Sequence, residues 1–141
     1  MPDLTLQLAA QMTDAALARA AELGAAVSAA VVDAGGHLVH FQRMDGAEIA
    51  GPTLAVDKAF TAVAHRVPTA DLTALTGPGG ELAGLQSNGG GRYVVFGGGE
   101  PCWSTGQVVG AVGVSGGSVS QDIECARAAL DVWETATIAI G

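Results

Sequence analysis

Apolar residues near the amino terminus recur at steps of three and four: Ala9, Met12, Ala16, Ala20 and Leu23. That spacing puts them on one face of an amphipathic helix. Asp3 or Thr5 is placed to cap its start and Gly24 to end it. The pattern then changes. In "AVSAAVVDAGGHLVHFQRMD", two apolar, β-branched runs flank Asp33, Ala34, Gly35 and Gly36. The glycines supply the positive φ of a tight turn, so the stretch predicts a β-hairpin. Its strands run from about Val27 to Val32 and from about His37 to Met44.

A second helix is expected next. Pro52 suits its first turn, and it runs to about His65 with Val56, Ala59, Phe60 and Val63 on the buried face. Pro68 is expected to stop it. A short helix, a glycine-proline turn and a weakly ordered segment follow in "PTADLTALTGPGGELAGLQS". A strand is predicted from Tyr93 to Phe96, between two glycine triplets, and another in "GQVVGAVGVSGG". Ser118 and Gln121 form an S-x-x-Q capping box for a last helix, with Ile123, Ala126, Leu130, Trp133 and Thr137 on one face. Hairpins without βαβ crossovers imply a mainly antiparallel sheet with helices packed on it, an α/β fold of the α+β type. No repeat or linker divides the chain, so residues 1–141 read as one domain.

Composition adds an expectation of self-association. Charged residues are only 14% of the chain, against 49% apolar. A soluble monomer carries nearer a quarter charged residues. Part of the surface is therefore expected to be buried against other copies, as a homo-oligomer. The net charge of −8 argues against nucleic acid and anionic membranes as partners. No apolar run approaches the roughly 20 residues of a membrane span, and the first residues do not read as a secretory signal. Cys102 and Cys125 lack CxxC spacing, so no metal site is expected. Both are expected as reduced thiols in a cytoplasmic protein.

The glycines invite a phosphate-binding reading that their context refuses. A P-loop needs a lysine directly after the last glycine, and the only lysine is Lys58. A dinucleotide fingerprint needs an acidic residue at the end of a second strand, and here that position falls inside the last helix. The glycines are read as hairpin-shaping. "GGGEPCW" is expected to hold an acid, a thiol and an indole at a loop tip. Glu100 would serve as a general base if burial raised its pKa. Cys102 would serve as a nucleophile or ligand if a cation lowered its pKa. His37 and His40 are three apart, so on a regular strand they face opposite ways and cannot chelate together. His65 ends a helix. A single histidine suffices as an axial haem ligand. Arg43 and Lys58 together suit a carboxylate; equally, Lys58 pairs with Asp45 or Asp57.

Four motifs in order resemble a known family: "VVDAGGHLVHFQRMDGA", "AVDKAFTAV", "GGGEP" and "GQVVGAVGVSGGSVSQDIECARAAL". They are similar to the GlcG/HbpS-like proteins, also called the PduO C-terminal-like or DUF336 family, from about Leu4 to Ile140. The resemblance implies a profilin-like antiparallel sheet of about five strands flanked by helices. It implies compact homo-oligomers and a small-molecule or haem ligand, with haem breakdown in some members and glycolate or diol metabolism beside others. Arg43, Met44 and Asp45 match the family's strand end; Lys58 and Thr61 match its helix; Gly98, Gly99 and Pro101 match its "GGxP" loop. Gly113, Val114, Ser115 and Gly116 match its turn, and Gln121 and Asp122 its helix start. Cys102 and Trp103 depart from the family's small aliphatic residues.

Three readings stand. The first is a small oligomeric protein that binds or degrades haem. Its propionates would meet Arg43 or Lys58, and its iron a histidine such as His37, or Cys102. Thr61, Gly98, Gly99, Pro101 and Trp103 would line the site. The second is an enzyme on a small carboxylate or carbonyl metabolite, with Glu100 or Asp45 moving protons, Lys58 and Arg43 holding an oxyanion and Cys102 assisting. The third is a structural or partner-binding subunit.

Overall fold

The computed structural model describes residues 4–140, with side chains to residue 138. The first helix, α1 (Leu6–Leu23), is capped by Thr5, whose Oγ1 accepts from the Leu8 amide at 3.1 Å, and ends on Gly24 at φ 72°. Thr5 and Gly24 thus act as the sequence predicts; Asp3 lies outside the described residues. β1 (Ser28–Asp33) and β2 (Leu38–Arg43) form the expected hairpin. Asp33 Oδ1 accepts from the amides of Gly35 at 2.9 Å and His37 at 3.0 Å, which tightens the turn.

α2 (Gly51–His65) has Pro52 in its first turn. It ends at His65 as expected, on Arg66 in the left-handed region, and Pro68 opens a 3₁₀ turn at Thr69–Leu72. α3 (Thr73–Thr76) follows, then two 3₁₀ turns at Leu85–Ser87 and Gly89–Gly91. β3 (Gly99–Ser104), β4 (Gln107–Ser115) and α4 (Val119–Ile140) complete the chain. The capping box forms as expected: Ser118 Oγ accepts from the Gln121 amide at 3.2 Å, and Gln121 Oε1 from the Ser118 amide at 2.9 Å.

The described sheet is antiparallel and has four strands, in the order β2-β1-β4-β3, rather than about five. The strand expected at Tyr93–Phe96 does not form. Threonine hydroxyls take its backbone groups: the Val94 amide donates to Thr61 Oγ1 at 2.9 Å, and Thr73 Oγ1 donates to the Val95 carbonyl at 2.7 Å. Strand structure begins only at Gly99. Glu100, Pro101, Cys102 and Trp103 therefore lie in β3, not at a loop tip. Pro101 is tolerated because β3 is an edge strand, where a missing N–H breaks no ladder.

The register sorts the side chains into two faces. Ala29, Val31, Cys102, Val112 and Val114 share a core with Met12 and Ala16 of α1 and Cys125, Ala126 and Trp133 of α4. Val32 and Ala111 face the other way, onto Ala59 and Ala62 of α2. Of the expected face Ala59 is buried and Val63 packs half-buried against the same cluster, while Val56 and Phe60 give way to Ala55, Lys58 and Ala62. Small residues win because α2 sits almost on the backbone of β4. A Cβ at Gly113 would come 2.6 Å from the Ala59 nitrogen and collide with the Ala55 carbonyl oxygen.

That contact is steric, not conformational. Gly113→Ala is expected to cost roughly 1–3 kcal/mol in urea unfolding, the usual range for overpacking. A variant as stable as the parent would show that α2 is not seated so closely.

Candidate functional site

Lys58 is the most constrained polar group under α2. It has 0% exposure. Its Nζ donates to the Val114 carbonyl at 2.9 Å and to Asp122 Oδ2 at 3.1 Å. Asp122 in turn accepts the Gly117 amide at 2.9 Å. Burial pushes the lysine pKa down and the aspartate pKa up, and each charge holds the other back. The expected partners were Asp45 or Asp57. Asp57 instead pairs with Arg92 at 3.0 Å, and the true partner belongs to the start of α4. The Phe96 ring covers the ammonium at 5.0 Å from its centroid.

The glycines expected to touch a ligand make room for this lysine. A Cβ at Gly98 would come 2.8 Å from Lys58 Nζ, and one at Gly99 would strike the Lys58 backbone. The Gly99 amide donates to Thr69 Oγ1 at 2.9 Å. Thr61, matched to a ligand contact in the sequence, donates to the Asp57 carbonyl at 2.7 Å and accepts from Val94. It pins the segment above α2.

Glu100 and Cys102 pair with Val112 and Gly110, which turns them to the α4 side of the sheet. Arg43 pairs with Ser28 and lies with Lys58 and Thr61 on the α2 side. The acid-base set of the enzyme reading is therefore split by the sheet. Cys102 has 0% exposure and packs in the core, where burial pushes its thiol up to about 12. Glu100 is buried too. Desolvation raises its carboxyl, against the Arg127 guanidinium 3.6 Å away.

The remaining candidates lie at the surface. Arg43 donates to the Ala47 carbonyl at 3.1 Å, and with Met44, Asp45 and Gly46 it lines a hollow of about 200 Å³. Trp103 is 47% exposed and lines a hollow of about 180 Å³ with Trp133, Glu134, Thr137 and Ile138. Its carbonyl accepts from Trp133 Nε1 at 3.1 Å. The histidines do not meet. His37 is exposed in the hairpin turn beside Gly35. His65 stands edge-on to Tyr93 at 4.5 Å, with Nε2 buried and unpartnered. His40 leans toward α1, Nδ1 2.9 Å from Thr13 Oγ1. Sequence reasoning missed this contact, because nothing in the periodicity links residue 13 to residue 40. Among the described residues no three His, Cys, Asp or Glu side chains group for a metal ion, and no helix is long and apolar enough to cross a membrane.

Residues 4–131 match the model of the haem-degrading HbpS-like family. The chain is 44% identical over 130 residues to an uncharacterised 15.0 kDa protein of the dhaT-dhaS intergenic region of Citrobacter freundii, covering 92% of both. The crystal structure of Klebsiella pneumoniae protein ORFY, from family DUF336, superposes with a TM-score of 0.91 at 40% identity, over 95% of this chain and 93% of that one. A crystal structure of a PduOC–haem complex superposes with a TM-score of 0.89 at 39% identity, over 93% of this chain and 95% of that one.

The Glu100 carboxyl yields a pH test. Its folded pKa is raised above 4.5, so the folded state keeps a proton that the unfolded chain releases. Its contribution is full below that value and falls as pH rises through the raised one. Glu100→Gln keeps the shape and removes the ionisation. The urea midpoint of the parent should fall relative to Glu100→Gln between about pH 4.5 and neutrality. A parent that gains on the variant over that range would contradict the burial argument.

Proposed function

Because the chain belongs to the HbpS-like family, we propose that it is a haem-binding protein that works as a homo-oligomer. The observation that carries this reading is the likeness, over 93% of the chain, to a PduOC structure holding haem. The residues present fit such a group. Haem needs an iron ligand with a lone pair open to the surface. His37 and His40 both stand at the surface, while Arg43, at the end of the strand that carries His40, turns to the other face of the sheet. Lys58 is withdrawn from this role by Asp122, and Cys102 by its burial. When bound, haem would bring a redox-active iron; the chain's part is to ligate, orient and shield it.

Binding is favoured over turnover, since Glu100 and Cys102 lie across the sheet from Lys58 and Arg43. Self-association is supported by the low charge content of 14% and by exposed apolar side chains such as Leu6, Ile49, Trp103 and Ile138.

Titration of the purified protein with haemin tests the reading. A saturable, shifted and sharpened Soret band is expected. A band that stays that of free haemin throughout would reject it.

A further inference from the structure

His40 sits at an irregularity. β1 and β2 pair Val31 with His40 but Val32 with Leu38, so Val39 is an extra residue in the edge strand. His40 shares a face with Val31, and Gln42 with Ala29, so both reach the flank of α1. There they meet one hydroxyl, that of the fully buried Thr13.

The protons around that hydroxyl can be assigned. Gln42 Nε2 lies 2.6 Å from Asp14 Oδ1 and 2.9 Å from Thr13 Oγ1. A carboxylate only accepts, so the nitrogen of the Gln42 amide faces it, and Thr13 accepts from the same nitrogen. Thr13 Oγ1 is also 3.0 Å from the Ala10 carbonyl, which only accepts. The single hydroxyl proton goes there; sending it elsewhere would leave two oxygen lone pairs face to face. The second lone pair of Thr13 then receives a proton from His40 Nδ1 at 2.9 Å. Neutral His40 is thereby held with its proton on Nδ1 and its lone pair on Nε2. Among the described residues that Nε2 has no hydrogen-bond partner, and it is not among the buried unpartnered atoms of this half-buried residue.

An imidazole whose one nitrogen donates to the protein and whose other nitrogen offers a lone pair outward is arranged as metal-bound histidines are. Among the described residues His37 has no such anchor, and the Nε2 of His65 is buried. We propose that His40 Nε2 is the axial ligand of the haem iron and that Thr13 is its positioning residue. This rests on the haem-binding reading above.

Haemin titrations of the parent, His40→Ala, His37→Ala and Thr13→Val, followed by absorbance and by electron paramagnetic resonance of the ferric complex, test the assignment. His40→Ala should lose the nitrogen-ligated signature of the parent, with added imidazole restoring it, and His37→Ala should keep it. Thr13→Val should keep the signature but bind haemin about 10–100-fold more weakly, the usual cost of losing an outer-shell partner. A parent-like spectrum and affinity in His40→Ala would overturn the ligand assignment and leave haem binding intact. A parent that does not bind haemin would overturn both, and the two failures are thus distinct. Equal affinity of Thr13→Val and the parent would remove Thr13 from the account.

Discussion

Lys58 carries a charge where water does not reach, and its ammonium there holds the Val114 carbonyl and the Asp122 carboxylate together. An unpaired charge in that place would be untenable, so the surrounding chain is shaped to supply partners. α2 must lie close to β4, which requires Gly113. The segment before β3 must pass over the lysine, which requires Gly98 and Gly99. α4 must begin with Asp122 turned inward, and the capping box of Ser118 and Gln121 sets that start. Such a pair adds little net stability over an apolar substitute, but breaking it by half is costly. Its role is to fix how α2 and α4 sit against opposite faces of one sheet.

That arrangement decides which chemistry the chain can offer. The residues that a sequence reader would gather into one acid-base site are divided between two layers: Lys58 and Thr61 under α2, Glu100 and Cys102 under α4. What stays open is the rim. The edge strand β2 presents His40, with its tautomer set from behind by Thr13, and ends at Arg43. That rim is where the proposed haem would be held.

Local signals were legible in the sequence, and distant pairings were not. The caps at Thr5, Gly24, Ser118 and Gln121 and the turn at Asp33 all act within five residues of chain, so sequence spacing reports them directly. The run Tyr93 to Phe96 has the composition of a strand, but the hydroxyls of Thr61 and Thr73 reach it first. Glu100 to Trp103 reads as a loop because of its glycines and proline, yet an edge strand accepts both. The partner of Lys58 lies 64 residues away, and no periodicity points to it. The bulge at Val39 is equally silent, since no glycine or proline marks it in the strand.

Whether Lys58 is a structural lock or a ligand group is measured directly by a double-mutant cycle with Asp122. Lys58→Met and Asp122→Leu are each expected to destabilise the protein by roughly 3–5 kcal/mol, because each leaves a buried charge alone. The double variant should recover most of that loss and bind haemin as the parent does. Single variants that remain stable but lose haemin, with no recovery in the double, would place Lys58 in the binding site and contradict the account.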